Sequence, residues 1–268
     1  MTSTQTIKNS ILENNFSKQD TSISLWQLNN FLESGNFSNK LELKNLVCKH
    51  RANSFITQYK ASLSNGCFET DILFLENKTI SAHGEELDTN LIFDDFLKSS
   101  FQKTAIWFDS KNINKLKNCE LAFDWINKNQ HRFLSALVES PTSSFENFNN
   151  HKWKNCIKKI NNIENVEVAY YMSTSEIKKC SATNLDNKQK LKCNTFFSDT
   201  VEFLEWANIN SITFDFAGYK AIKASNKLKN YKWHIWHVNS IKSFNKILTN
   251  NNIGIMLLTN NQFANNLN

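Results

Sequence analysis

Eight short apolar runs rich in Val, Ile and Phe recur along this chain with longer amphipathic stretches between them, and this rhythm restricts the fold more than any other feature. The runs fall near residues 45–50, 67–74, 104–109, 133–139, 166–172, 211–216, 233–239 and 253–258. The stretches between them read as helices near 54–63, 91–99, 113–127, 144–160, 201–207, 217–228 and 241–248, with Ser144 and Asp199 as helix starts ahead of apolar-periodic runs. Strands alternating with helices are βα units around a parallel sheet. Eight such units over roughly 220 residues predict an α/β fold of the (β/α)8 TIM-barrel class. The barrel is expected over 45–268, with 1–44 as an N-terminal extension whose one helix, near 22–32, packs through Leu25, Trp26, Leu28 and Phe31. The polar, lysine-rich segment 179–194 is expected to be a long loop after the fifth strand.

Composition narrows the chemistry. With 268 residues, 40% of them hydrophobic, the chain can bury a substantial core. Its five glycines, at positions 35, 66, 84, 218 and 254, are too scattered for a dinucleotide fingerprint, a Walker loop or a glycine-flanked serine elbow, and no HExxH occurs. The formal charge of +6 includes lysines crowded at Lys152, Lys154, Lys158 and Lys159 and again over 220–232. These read as solvated helix faces rather than a nucleic-acid surface, although a mildly basic protein suits an anionic substrate. The six cysteines, Cys48, Cys67, Cys119, Cys156, Cys180 and Cys193, lack the close spacing of a zinc site and read as reduced and structural. Residues 1–15 are polar and no stretch approaches the ~20 apolar residues of a membrane span, so a soluble cytoplasmic protein without stable membrane insertion is expected.

The ends of the first three runs carry polar groups that a simple core strand would lack. Glu69 and Asp71 are two apart on one strand, so period-2 alternation turns both carboxylates to one face, where hard oxygen ligands can share a divalent ion. Asp109 adds a third ligand from the next run. Three converging carboxylates repel one another, which argues for Mg²⁺ or Ca²⁺ among them. Lys111 shares Asp109's side and could neutralise a phosphate oxygen. Cleaving a phosphodiester requires one group to take a proton and another to give one, and His50 and His83 suit those roles. His131, His151 and His234 read as structural, and His237 is left open.

Here the residues carry a resemblance. His50-Arg51-Ala52-Asn53-Ser54, then Glu69-Thr70-Asp71-Ile72, Ser81-Ala82-His83 and Ile106-Trp107-Phe108-Asp109-Ser110-Lys111 resemble the glycerophosphodiester phosphodiesterase-like (PI-PLC-like) barrel superfamily. That superfamily includes the sphingomyelinase D type enzymes and the menorin family. Ile235-Trp236-His237-Val238-Asn239 and the segment from Gly254 to Asn260 are similar to its last two strand motifs, so the likeness spans roughly residues 45–260. It implies His50 and His83 as the acid–base pair and Glu69, Asp71 and Asp109 as metal ligands, with Arg51 and Lys111 on phosphate and Trp236 lining the pocket. Ala52 stands where many bacterial members have glycine, Asp109 where many have glutamate, and Asn260 where an aspartate often closes the motif.

The expected function is therefore metal-dependent cleavage of a phosphodiester by hydrolysis or by forming a cyclic phosphate. A glycerophosphodiester, a lysophospholipid or a phosphodiester-linked glycan would all suit such a site. Two other readings stay open: a barrel that binds phosphate or glycan without turnover, and a metal-dependent sugar isomerase or lyase.

Overall fold

The computed structural model describes residues 47–54, 58, 67–82, 91–99, 103–238, 240, 243, 246–247, 249–250 and 252–258. The N-terminal extension, His83, Asn260 and most of the helices expected at 54–63 and 241–248 lie outside them.

Eight of the ten described strands are parallel and each coincides with one of the apolar runs: β1 (Val47–Lys49), β2 (Cys67–Phe74), β5 (Ala105–Ser110), β6 (Ser135–Ser140), β7 (Val166–Tyr171), β8 (Ser211–Asp215), β9 (Lys232–Val238) and β10 (Ile253–Leu258). They follow one another in space as in sequence. Strand β1 pairs in parallel with both β10 and β2, the latter through Cys48 opposite Cys67, so the ring of eight closes without a free edge. An antiparallel appendage that the sequence reading missed, β3 (Thr79–Ser81) and β4 (Leu91–Ile92), extends from β2. Strand β4 takes the first two residues of the helix expected from 91.

Alternation along each strand separates two cores. Phe68, Ile72, Phe74, Ile106, Phe108, Val138, Val168, Ile212, Phe214 and Ile235 belong to the large outer core, beneath the helices. Each such side chain stabilises by roughly 1.5–3 kcal/mol when fully buried. The opposite phase fills the barrel with Cys48, Cys67, Ala105, Trp107, Leu137, Ala169 and Leu257. Small side chains here make room for the Trp107 indole and the His234 imidazole, whose rings meet edge to face at 5.9 Å. Gly254 is required by the same crowding, because a Cβ there would sit 2.4 Å from His234 Cε1.

The outer layer comprises α1 (Phe93–Ser99), α2 (Leu116–Asn129), α3 (His151–Asn161), α4 (Thr174–Cys180), α5 (Asn187–Ala207) and α6 (Tyr219–Ser225). Two sequence expectations fail here. Thr142–Asn147 is a 3-10 turn, and α3 begins only at His151, where Asn150 accepts from the Trp153 N–H. Residues 179–194, expected as a loop, are mostly helical. Asp186 and Gln189 form a reciprocal capping box that starts α5. The Lys, Gln and Leu that follow are good helix formers whose first turns have no buried face, so they leave no apolar period in the sequence.

The expectation of reduced cysteines is also corrected. All six pair, as Cys48–Cys67, Cys119–Cys156 and Cys180–Cys193, joining β1 to β2, α2 to α3 and α4 to α5. Their separations of 19, 37 and 13 residues hid partners brought together only by the fold. No described helix is long and apolar enough to cross a membrane.

Candidate active site

At the C-terminal ends of the strands the inward phase changes from apolar to acidic. Asp71, Asp109 and Glu139 are register partners on the adjacent strands β2, β5 and β6, so three carboxylates stand abreast, with Glu69 one inward position earlier on β2. Glu69, Asp71 and Glu139 are buried and Asp109 is half-buried. Oxygens of Glu69, Asp71 and Asp109 lie within 4.8 Å of one another, a spacing that can hold one metal ion. These are the three ligands expected from the sequence, and their hard oxygens fit Mg²⁺ or Ca²⁺.

The chain after β1 folds over this acidic edge. Arg51 adopts a left-handed backbone, φ 56°, which lets its N–H donate to Glu69 Oε2 at 2.6 Å. The Asn53 amide grips Asp71 twice, donating from Nδ2 to Oδ2 and accepting the Asp71 N–H at 3.0 Å. The same turn sets His50 over the cluster, Nε2 lying 3.8 Å from Glu69 Oε2. The Arg51 side chain is exposed at the mouth.

Lys111 does not stand apart as a free phosphate ligand. Its Nζ contacts Asp71 Oδ1 at 2.6 Å and also pairs with Asp109, so one ammonium bridges two of the carboxylates. Compensation remains incomplete. Burial and the neighbouring Asp71 and Asp109 push the Glu69 carboxyl well above its ordinary range. Burial raises Asp109 to about 6 even though Lys111 opposes the shift. Burial and Asp109 raise Glu139, although its Oε2 accepts the Trp107 Nε1–H at 3.1 Å. Desolvation would lower the Lys111 ammonium, but Asp109 and Asp71 outweigh it and hold the proton on.

His50 responds in the opposite sense. Burial first, then Arg51 and His237, lowers it to about 4, so it is a neutral imidazole at neutral pH and can accept a proton. His237 joins it, the two rings meeting edge to face at 5.3 Å. Simple alternation along β9 would turn His237 to the outside. Its left-handed φ of 56° and the irregular β9–β10 register redirect it, and Asp215 Oδ2 meets its Nδ1 at 3.2 Å.

The resulting cavity is about 270 Å³, floored by the acidic groups and Lys111 and bounded by His50, Arg51, Tyr171 and Trp236. Tyr171 and Trp236 form one wall, ring centres 5.9 Å apart. Of the residues expected from sequence, His50, Arg51, Glu69, Asp71, Asp109, Lys111 and Trp236 all line it, and His83 lies outside the described residues. Glu139 and Tyr171 were missed. Each ends a strand in the same inward phase as Leu137 and Ala169, a signal that was present in the sequence.

No family model and no curated protein matches the chain. Among solved structures it is similar to a phosphodiesterase of Oleispira antarctica in complex with the product sn-glycerol-3-phosphate, at 10% identity and a TM-score of 0.48, over 81% of this chain and 94% of that one. It is also similar to an Agrobacterium tumefaciens protein assigned to the glycerophosphoryl diester phosphodiesterases, at 9% identity and 0.47, over 82% and 95%. Both likenesses are too remote to assign the site, whose chemistry has to come from its own geometry.

Proposed function

We propose that the chain is a metal-dependent phosphodiesterase or phospholyase acting at the C-terminal mouth of the barrel. The observation that carries this reading is the convergence of the Glu69, Asp71 and Asp109 carboxylates within 4.8 Å, directly below a histidine held neutral. Mg²⁺ or Ca²⁺ held by these three would supply positive charge for the phosphoryl oxygens. Arg51 and Lys111 bring cationic groups to the same cavity and orient the diester, while Trp236 bounds the substrate's substituent. His50 accepts the proton of the attacking hydroxyl, which belongs to water or to the substrate itself. His83 is assigned the complementary role of protonating the departing oxygen. His237, fixed by Asp215, keeps the His50 ring in place through its edge contact.

The three cystines favour an oxidising compartment over the cytoplasm expected from the sequence. The domain division at residues 44 and 45 stands as part of the same proposal.

The test is turnover of a panel of glycerophosphodiesters, lysophospholipids and phosphodiester-linked glycans, each with Mg²⁺, with Ca²⁺ and with chelator. Metal-dependent release of a phosphomonoester or cyclic phosphate, lost in Asp71→Asn, supports the proposal. Tight phosphate binding without turnover across the panel would instead favour a binding barrel, in which Lys111 supplies the cluster's counter-charge on its own.

A further inference from the structure

The hairpin formed by α4 and α5 stands above the rim of the barrel on the side of the cavity. Helix α4 is anchored there at several points. The Tyr171 hydroxyl, at the cavity wall, hydrogen-bonds Thr174 Oγ1 at 2.9 Å, and Ser181 Oγ donates to the Ala217 carbonyl just beyond the end of β8. Ile177 lies so close against Gly218 that a Cβ there would meet its Cγ2 at 2.1 Å. Helix α5 then returns to the opposite end, stopping at Ala207, shortly before β8 begins at Ser211.

Lengths show that α5 overshoots. Its 21 residues span roughly 30 Å, against roughly 16 Å for the five residues of β8. Burial locates the excess: the buried residues of α5 are Phe197, Thr200, Phe203, Leu204 and Ala207, all in its second half. The first half projects past the rim, and Cys180–Cys193 ties it to the anchored end of α4.

This projection has an unusual surface. Lys178, Lys179, Lys188, Lys190 and Lys192 are exposed on it, against two carboxylates, Glu176 and Asp186, in the whole segment 173–193. Among them stands Leu191, which at 67% exposure is the most exposed large apolar side chain among the described residues. Lysines around a bare aliphatic side chain match an anionic lipid surface, where the ammonium groups meet headgroup charge and the leucine enters the acyl boundary. A nucleic acid would be better served by an aromatic ring for stacking.

We propose that the disulfide-tied hairpin 178–193 docks the protein on an anionic membrane surface, with the cavity mouth beside the headgroups. Docking needs no catalysis, so it can fail while the phosphodiesterase reading stands, and the reverse also holds. The experiment is co-sedimentation of the full chain with vesicles of phosphatidylserine and phosphatidylcholine, and with phosphatidylcholine alone. Binding is expected only to the anionic vesicles and should weaken as salt rises. Each lysine near such a surface contributes about fivefold in affinity, so the triple variant Lys188→Glu, Lys190→Glu, Lys192→Glu should lose on the order of 100-fold or more. Leu191→Ser should lose several-fold at unchanged charge. The same number of reversals at the exposed Lys152, Lys158 and Lys159 of α3 should change little, and a matching thermal melt shows that each variant is folded. No binding of the parent at low salt, equal loss in the α3 control, or lysine-dependent binding to DNA but not to vesicles would each overturn the proposal.

Discussion

The two ends of this barrel treat buried charge in opposite ways. At the C-terminal mouth, Glu69, Asp71, Asp109 and Glu139 share the cavity with Lys111 bridging two of them, and burial pushes Glu69, Asp109 and Glu139 upward. At the other end a single carboxylate, Glu167, has three partners: Lys232 Nζ at 2.7 Å, the Ser211 hydroxyl, and His234 Nε2 at 3.5 Å. Burial alone would raise Glu167, but these contacts outweigh it and hold it down to about 2. His234 in turn accepts the Ile255 N–H on Nδ1 at 2.9 Å, which leaves Nε2 to carry the proton toward Glu167. One end is electrostatically incomplete and the other is closed on itself. In barrels of this class, incompleteness at the C-terminal face marks chemistry and completeness at the N-terminal face marks stability.

Substitutions can break that contrast, beginning with the largest effect. Asp71→Asn should lower turnover on the order of 10³-fold and weaken metal binding, because several kcal/mol of charge stabilisation pass through this cluster. A thermal melt of the ion-free protein should show no loss of stability, since the change relieves repulsion. His50→Ala should cost ~10² to 10⁴-fold in rate while a metal titration stays near the parent's. Glu167→Gln should do the reverse, leaving turnover intact and lowering stability by about 1–2 kcal/mol in a denaturant titration. The sign of its pH dependence follows from a folded-state ionisation below the unfolded one. Its contribution is full above about pH 4.5 and disappears as pH falls toward about 2, so the parent–variant difference should shrink over that window. His131→Ala, on an exposed 3-10 turn, should match the parent in both rate and melting. If Asp71→Asn destabilises as much as Glu167→Gln does, the contrast between the two ends fails.

What the sequence made legible follows from how local each signal is. A strand's apolar run and its alternation are properties of neighbouring residues, which is why all eight parallel strands were readable and why Glu69, Asp71 and Asp109 could be placed together. Glu139 ends its strand by the same rule, yet Ser140 and Pro141 lead into a turn that made it look like a boundary residue. His237 could not be placed, because only a left-handed residue in an irregular strand pairing turns its ring inward. The cystines depend on contacts between separate elements. The first half of α5 showed no period because it lies against nothing in the barrel.

The most direct test of the account is a crystal of the full chain grown with Mn²⁺ as an anomalous probe in place of Mg²⁺. The account predicts an anomalous peak held by the carboxylates of Glu69, Asp71 and Asp109, with Lys111 displaced from its bridge between Asp71 and Asp109. A crystal saturated with Mn²⁺ in which Lys111 keeps both contacts and no peak falls on these three residues would contradict it.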